Sequence, residues 1–189
     1  MKVVKKFVFA MALVAAMAAS AEMKVGTVDL MLLVRNHPNY DSNKTLLTST
    51  DKDYQKKLEG IKSEGEKLQN EGKQLMDQMR NPMLTAKAKV DIEKQIEDIQ
   101  KKLTVIAQRL QSESMRCRQD LQDLEGRLFK TTTEDLRKRL GAYAGENGYD
   151  FICDATAVPY AKPEYDVTDE MLKKLGVDPK EAKGRDEGK

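Results

Sequence analysis

Several residue types are scarce or missing in this chain of 189 residues, and each shortage excludes something. There is no Trp, and four Phe and six Tyr are all the aromatics. A large compact core is poorly supplied by such a composition, whereas a long helix or coiled coil uses it well. The one His, His37, stands beside Pro38 and reads as a loop residue. With no second His near a carboxylate or thiol cluster, neither a metal site nor an acid–base pair can be assembled, and no metal or cofactor is expected. Asp29, Asp150 and Asp154 lie near strand-like runs, but Asp there serves turns, so the chain is read as a binding protein and not an enzyme.

Two cysteines, Cys117 and Cys153, would be free to pair in an oxidising compartment. Cys117 falls on a helical apolar seam and Cys153 inside a strand-like run, so both read as small buried hydrophobes. Long apolar runs are also missing after residue 21. Before it, Lys2, Lys5 and Lys6 precede the apolar stretch Phe7–Ala18, too short to span a bilayer, and Ala19-Ser20-Ala21 supplies small residues for cleavage. Residues 1–21 are therefore expected to be a secretory signal peptide cut after Ala21, with a periplasmic mature chain. Removing three Lys and no acid takes the net charge from +2 to −1. Nothing in that balance suits nucleic acid.

What the chain does have is two long periodic segments. From Asp41 to Met79 there is no Pro, and Tyr54, Leu58, Ile61, Leu68, Leu75 and Met79 keep heptad spacing, with Gly65 and Gly72 in the two vacant seam positions. Asn81-Pro82 ends that helix. Thr85 suits an N-cap for a second helix, whose seam runs Ile92, Ile96, Ile99, Leu103, Ile106, Leu110, Cys117, Leu121, Leu124 and Leu128, as far as about Tyr143. If the chain reverses at Pro82, residues equidistant from it face each other, which sets Gly65 against Ile99 and Gly72 against Ile92. An antiparallel hairpin over residues 45–128 is predicted, its tip near 80–84, with arms on the order of 60 Å long. The same glycines either make the hairpin bendable or merely make room for Ile99 and Ile92. Met76, Met79, Met83 and Leu84 gather at the tip, where flexible, polarizable side chains suit varied apolar partners.

The flanks, residues 22–44 and 129–176, predict a β-rich body. Strands are expected at Lys24–Asp29, at Tyr149–Asp154 and through Ala157–Tyr160, with short helices at Leu30–Val34 and at Met171–Leu175 closed by Gly176. Residues 177–189, charged and poor in large apolar side chains, are expected to be a flexible tail. The fold class is α+β, a helical coiled-coil hairpin inserted in a small β body. Short strands with exposed edges invite pairing with another copy, and Val25, Thr27, Val28, Phe151, Ile152 and Val158 are the candidate self-association residues.

Together, Lys24-Val-Gly-Thr-Val-Asp-Leu30, the Gln/Lys/Glu-rich hairpin, Asn147-Gly-Tyr-Asp-Phe-Ile-Cys-Asp-Ala155 and Tyr165-Asp-Val-Thr-Asp-Glu-Met-Leu172 resemble the Skp (OmpH-like) periplasmic chaperone family over essentially the whole mature chain. The resemblance implies a homotrimer whose strands form a short barrel. It also implies ATP-independent holding of unfolded outer-membrane β-barrel proteins in a cavity between three hairpins. Candidate client-binding residues are Met76, Met79, Met83 and Leu84 at the tip, and Leu46, Val105 and Met115 on the walls. Family members are often strongly basic, but residues 67–101 here carry seven basic and six acidic side chains. Apolar contact is therefore expected to dominate over steering, and contact with a membrane surface to be weak at most. The competing reading is a structural spacer or adaptor of an envelope complex, in which the tip docks end-on to one partner.

Overall fold

A computed structural model describes residues 23–187. The expected leader and its cleavage site lie outside these residues. The chain divides into two units, one of residues 39–131 and one combining the segments before 39 and after 131.

The unit 39–131 is the hairpin. Helix α2 runs Tyr40–Met79 and helix α3 Ala86–Asn147, the latter passing from this unit into the other. No Pro interrupts either helix beyond its first turn, and their exposed positions carry Lys, Glu and Gln, which lose little rotamer freedom in a helix. At the turn, Asn81 Oδ1 accepts the Met83 N–H at 3.0 Å, and Thr85 Oγ1 caps α3 by accepting from Ala88 N at 3.3 Å. The seam buries Ile61, Leu75, Ile92, Ile99, Ile106 and Cys117.

The register differs from the expectation. A Cβ built on Gly65 would lie 3.4 Å from Ile106, and one on Gly72 3.4 Å from Ile99. Each glycine thus faces the seam residue one heptad farther along α3 than a reversal at Pro82 implies. A heptad pattern is unchanged by a shift of seven, so both registers match apolar to apolar. Three-dimensional details break the tie: the connection runs to Thr85, past Pro82, and Lys57–Glu113 and Glu64–Arg109 ion pairs bridge the arms.

The other unit is the body. Strand β1, Val25–Val28, pairs in parallel with β2, Phe151–Asp154, in register from Val25 opposite Phe151 to Val28 opposite Asp154. Helix α1, Leu30–Arg35, is capped by Asp29, whose Oδ1 accepts the Leu32 N–H at 2.8 Å. Helix α4, Thr168–Lys174, follows Asp166, whose Oδ1 accepts the Thr168 N–H, while Thr168 Oγ1 accepts the Asp29 N–H. Gly148 and Gly176, at φ 68° and 80°, make the turns into β2 and out of α4. The core joins Val28, Leu32, Leu33, Leu136, Tyr143, Met171, Leu172 and Leu175, contributed by β1, α1, α3 and α4.

Two expectations for the body are corrected. Residues 157–160 form no strand: a short 3-10 turn at Ala155–Ala157 leads into an irregular segment, and it is Asp166 that bridges to Thr27. Pro159 and Pro163 lack the N–H that a ladder needs. Among the described residues the body has two four-residue strands, and it is helical in its packing and not β-rich. The charged tail is likewise corrected. Residues Pro179–Glu187 form helix α5, started by Pro179 and capped by Asp178, whose Oδ1 accepts from Lys180 N. Ala182 is fully buried in the body core, and Lys183 pairs with Asp169 at 2.8 Å. Ala182, the Lys183–Asp169 ion pair and Val177 packed on the same core tie down a helix whose composition reads as solvent-exposed.

Candidate functional site

Apolar side chains that the fold leaves outside its cores are the main candidates. On the hairpin, Met83 is 87% exposed, Met115 67%, Val105 61%, Met76 50% and Leu46 45%. Met79 and Leu84 differ, being half-buried against the cluster of Leu75, Ile92 and Ile99, where they close the tip end of the seam. The seven expected client-binding residues thus divide into five at the surface and two that support the tip.

Around the Gly65–Ile106 crossing, where a missing side chain lets the arms approach, the hairpin surface is grooved on two sides. A groove of about 620 Å3 has Leu68, Val105 and Ile106 as its floor and Lys67, Lys101, Lys102 and Glu64 along its rim. A second, of about 570 Å3, is lined by Leu103, Ile106 and Leu110 with Lys62 and Glu66. Both are open and apolar-floored, suited to covering extended chain without selecting its shape. Some of the charges along the arms are paired, Lys101 with Glu97 and Glu64 with Arg109 at the first groove, and Lys57 with Glu113 away from both. The ammonium of Lys101 holds the Glu97 carboxyl below the usual carboxylate range, and Lys57 does the same to Glu113.

In the body, the expected self-association residues separate. Val28 and Thr27 are buried within their own unit, and Ile152 is half-buried against its core. Val25, Phe151 and Val158, with the buried Thr27, line a groove of about 360 Å3 together with Tyr160 and Tyr165, and Phe151 is half exposed. The two tyrosines were not singled out from sequence. For Tyr160 the signal was its alternation with Val158 in a segment read as a strand; Tyr165 lay outside that segment.

His37 was also missed as more than a loop residue. It is buried, and its Nε2 lies 3.0 Å from Asp135 Oδ2, an oxygen that also accepts from Arg139 Nε at 2.6 Å. His37 and Arg139 together hold the Asp135 carboxyl below its ordinary range. A spacing of 98 residues hides the pair from any local reading. The carboxylates near the strands are engaged in backbone caps: Asp150 accepts from Lys24 N at 2.7 Å and Asp154 from Thr156 N at 3.0 Å. The cysteines are both free, Cys117 in the hairpin seam and Cys153 half-buried, its thiol donating to the Gly26 carbonyl at 3.6 Å. Among the described residues no His, Cys, Asp and Glu gather as a metal site would need, and no helix is long and apolar enough to cross a membrane.

Against this geometry, the family model described as Outer membrane protein (OmpH-like) matches residues 24–175. The chain belongs to the OmpH-like family. Membership supports, at the level of the family, a periplasmic chaperone of outer-membrane proteins. No curated protein matches the chain. The OmpH-like match spans β1, the hairpin and α4 and ends before α5.

Proposed function

We propose that this chain is an ATP-independent holdase that captures unfolded outer-membrane β-barrel proteins and keeps them from aggregating. The single observation that carries the reading is the set of exposed apolar side chains on the hairpin of an OmpH-like chain: Met83, Met115, Val105, Met76 and Leu46. An unfolded barrel strand presents apolar side chains at every second position. Dispersed flexible apolar contacts, each weak, cover such a chain by avidity and release it without a fuel molecule. Three protomers assemble, on this reading, through the groove of Val25, Phe151, Val158, Tyr160 and Tyr165, and the client occupies the space between three hairpins. Export depends on residues 1–21, with cleavage after Ala21.

The test is light scattering on dilution of a urea-unfolded outer-membrane barrel protein into buffer. Suppressed scattering at near-stoichiometric chaperone without nucleotide is the expected result, and unaltered aggregation would remove the reading. An adaptor that docks by its tip is favoured by one feature, the crowding of Met76, Met79 and Met83. Changing all three to Ser separates the two: a holdase loses part of its capacity, an adaptor loses its partner outright.

A further inference from the structure

We propose that the hairpin's methionines make its binding surface oxidisable, so that peroxide switches client capture off while the body stays folded. This rests on the reading of the hairpin as the client-binding surface. Of the residues assigned to that surface, Met76, Met79, Met83 and Met115 carry thioethers, so one chemistry reaches more than half of it. Their exposure is graded. Met83 and Met115 are the most open, Met76 is half exposed, and Met79 is half-buried at the end of the seam. The body is built the other way. Among the described residues its buried core is Leu, Val, Tyr and Ala with a single methionine, Met171, which is fully buried.

With hydrogen peroxide as oxidant, the sulfur lone pair attacks one peroxide oxygen and the O–O bond breaks. An S–O bond forms, and after proton transfer the other oxygen leaves as water; the sulfur is oxidised and the peroxide reduced. The product is a polar sulfoxide, a strong acceptor that favours water over apolar contact. Sulfoxides at Met83, Met115 and Met76 therefore turn an apolar surface polar at solvent-facing positions, where helix backbone bonds are unaffected. Oxidation of Met79 follows more slowly and loosens the tip. Enzymes that reduce both sulfoxide epimers return the original surface. Met23 and Met31 are also exposed but lie in the body, so they report oxidation without altering the hairpin.

The experiment treats the exported chain with hydrogen peroxide, maps sulfoxides by peptide mass spectrometry, and follows helicity by circular dichroism. Client holding is read by light scattering, beside the variant Met76→Leu/Met79→Leu/Met83→Leu/Met115→Leu. The expected result is early oxidation of Met83 and Met115 with Met171 last, unchanged helicity, and a several-fold loss of holding that reduction restores. The Leu variant, compared with its own untreated sample, loses no holding on peroxide treatment. Oxidised protein that holds client as well as untreated protein overturns the inference. So does a Leu variant that loses as much as the unaltered chain, because the sensitive groups then lie elsewhere, at Cys153 for instance. Untreated protein that never holds client overturns the proposed function, and this inference with it.

Discussion

The hairpin and the body solve the burial problem in opposite ways. Along α2 and α3 a single stripe is buried, and its tip-side cluster has only Leu75, Ile92 and Ile99 fully inside. The body brings β1, α1, the end of α3, α4 and α5 around Leu33, Leu136, Met171 and Leu172, side chains with no exposed surface. Contacts across the hairpin repeat every heptad and each layer is replaceable. Contacts in the body join residues more than a hundred positions apart, and each is used once. The hairpin can therefore lose a layer and stay a hairpin, while the body stands or falls as one unit.

That comparison breaks most sharply at Leu172. Truncation to Ala should cost about 3–4 kcal/mol and remove β1–β2 pairing and α4 docking together, read by urea unfolding with near-ultraviolet signals from Tyr143 and Tyr149. The matching change in the hairpin, Ile99→Ala, should cost about 2 kcal/mol but raise hydrogen exchange only between roughly residues 68 and 103, because the neighbouring layers persist. Global unfolding in both variants would mean that the two units are not separately stable.

The seam glycines sharpen the contrast in the other direction. A Cβ at Gly65 or Gly72 meets its opposing Ile at 3.4 Å, ordinary contact, so Gly→Ala at both should raise helix stability by about 1 kcal/mol per site and slow exchange along the arms. Unchanged exchange would show that the glycines accommodate Ile106 and Ile99 and give no bend.

A smaller effect is expected at Asp135, half exposed and shared by His37 and Arg139. Asp135→Ala should cost about 1 kcal/mol at neutral pH. Since the folded-state carboxyl titrates below its ordinary value, its stabilisation is complete above that value and is lost as pH falls through the lowered one. The gap between variant and unaltered chain should thus close in urea titrations as pH falls below the ordinary carboxylate range. Smallest of all is the cross-arm pair: Lys57→Glu should lower the melting temperature only slightly, and less at high salt.

These contrasts also explain what could be read in advance. Helix bounds, the turn and the buried seam follow from periodicity, Pro82 and Thr85, all local signals. The heptad register does not, because sliding by seven residues leaves the pattern intact and only the turn length and ion pairs at Lys57 and Glu64 decide. In the body, Val25, Gly26 and Phe151 announce strands, but nothing local announces that Asp166 takes the place beside Thr27, that His37 meets Asp135, or that Ala182 docks α5. Of the surface residues, Met83 and Met115 are legible as apolar side chains off the seam. Tyr160 was concealed by a segment whose prolines forbid the strand its apolar alternation suggests, and Tyr165 lay outside that segment.

The central claim is that the hairpin of this OmpH-like chain holds unfolded outer-membrane protein. Native mass spectrometry of residues 22–189, alone and after dilution of a urea-unfolded outer-membrane barrel protein, tests it most directly. The expected spectrum is a trimer that takes up one client chain and remains soluble with it. A monomer or dimer that leaves the client unbound would contradict the account and make a docking adaptor the better description.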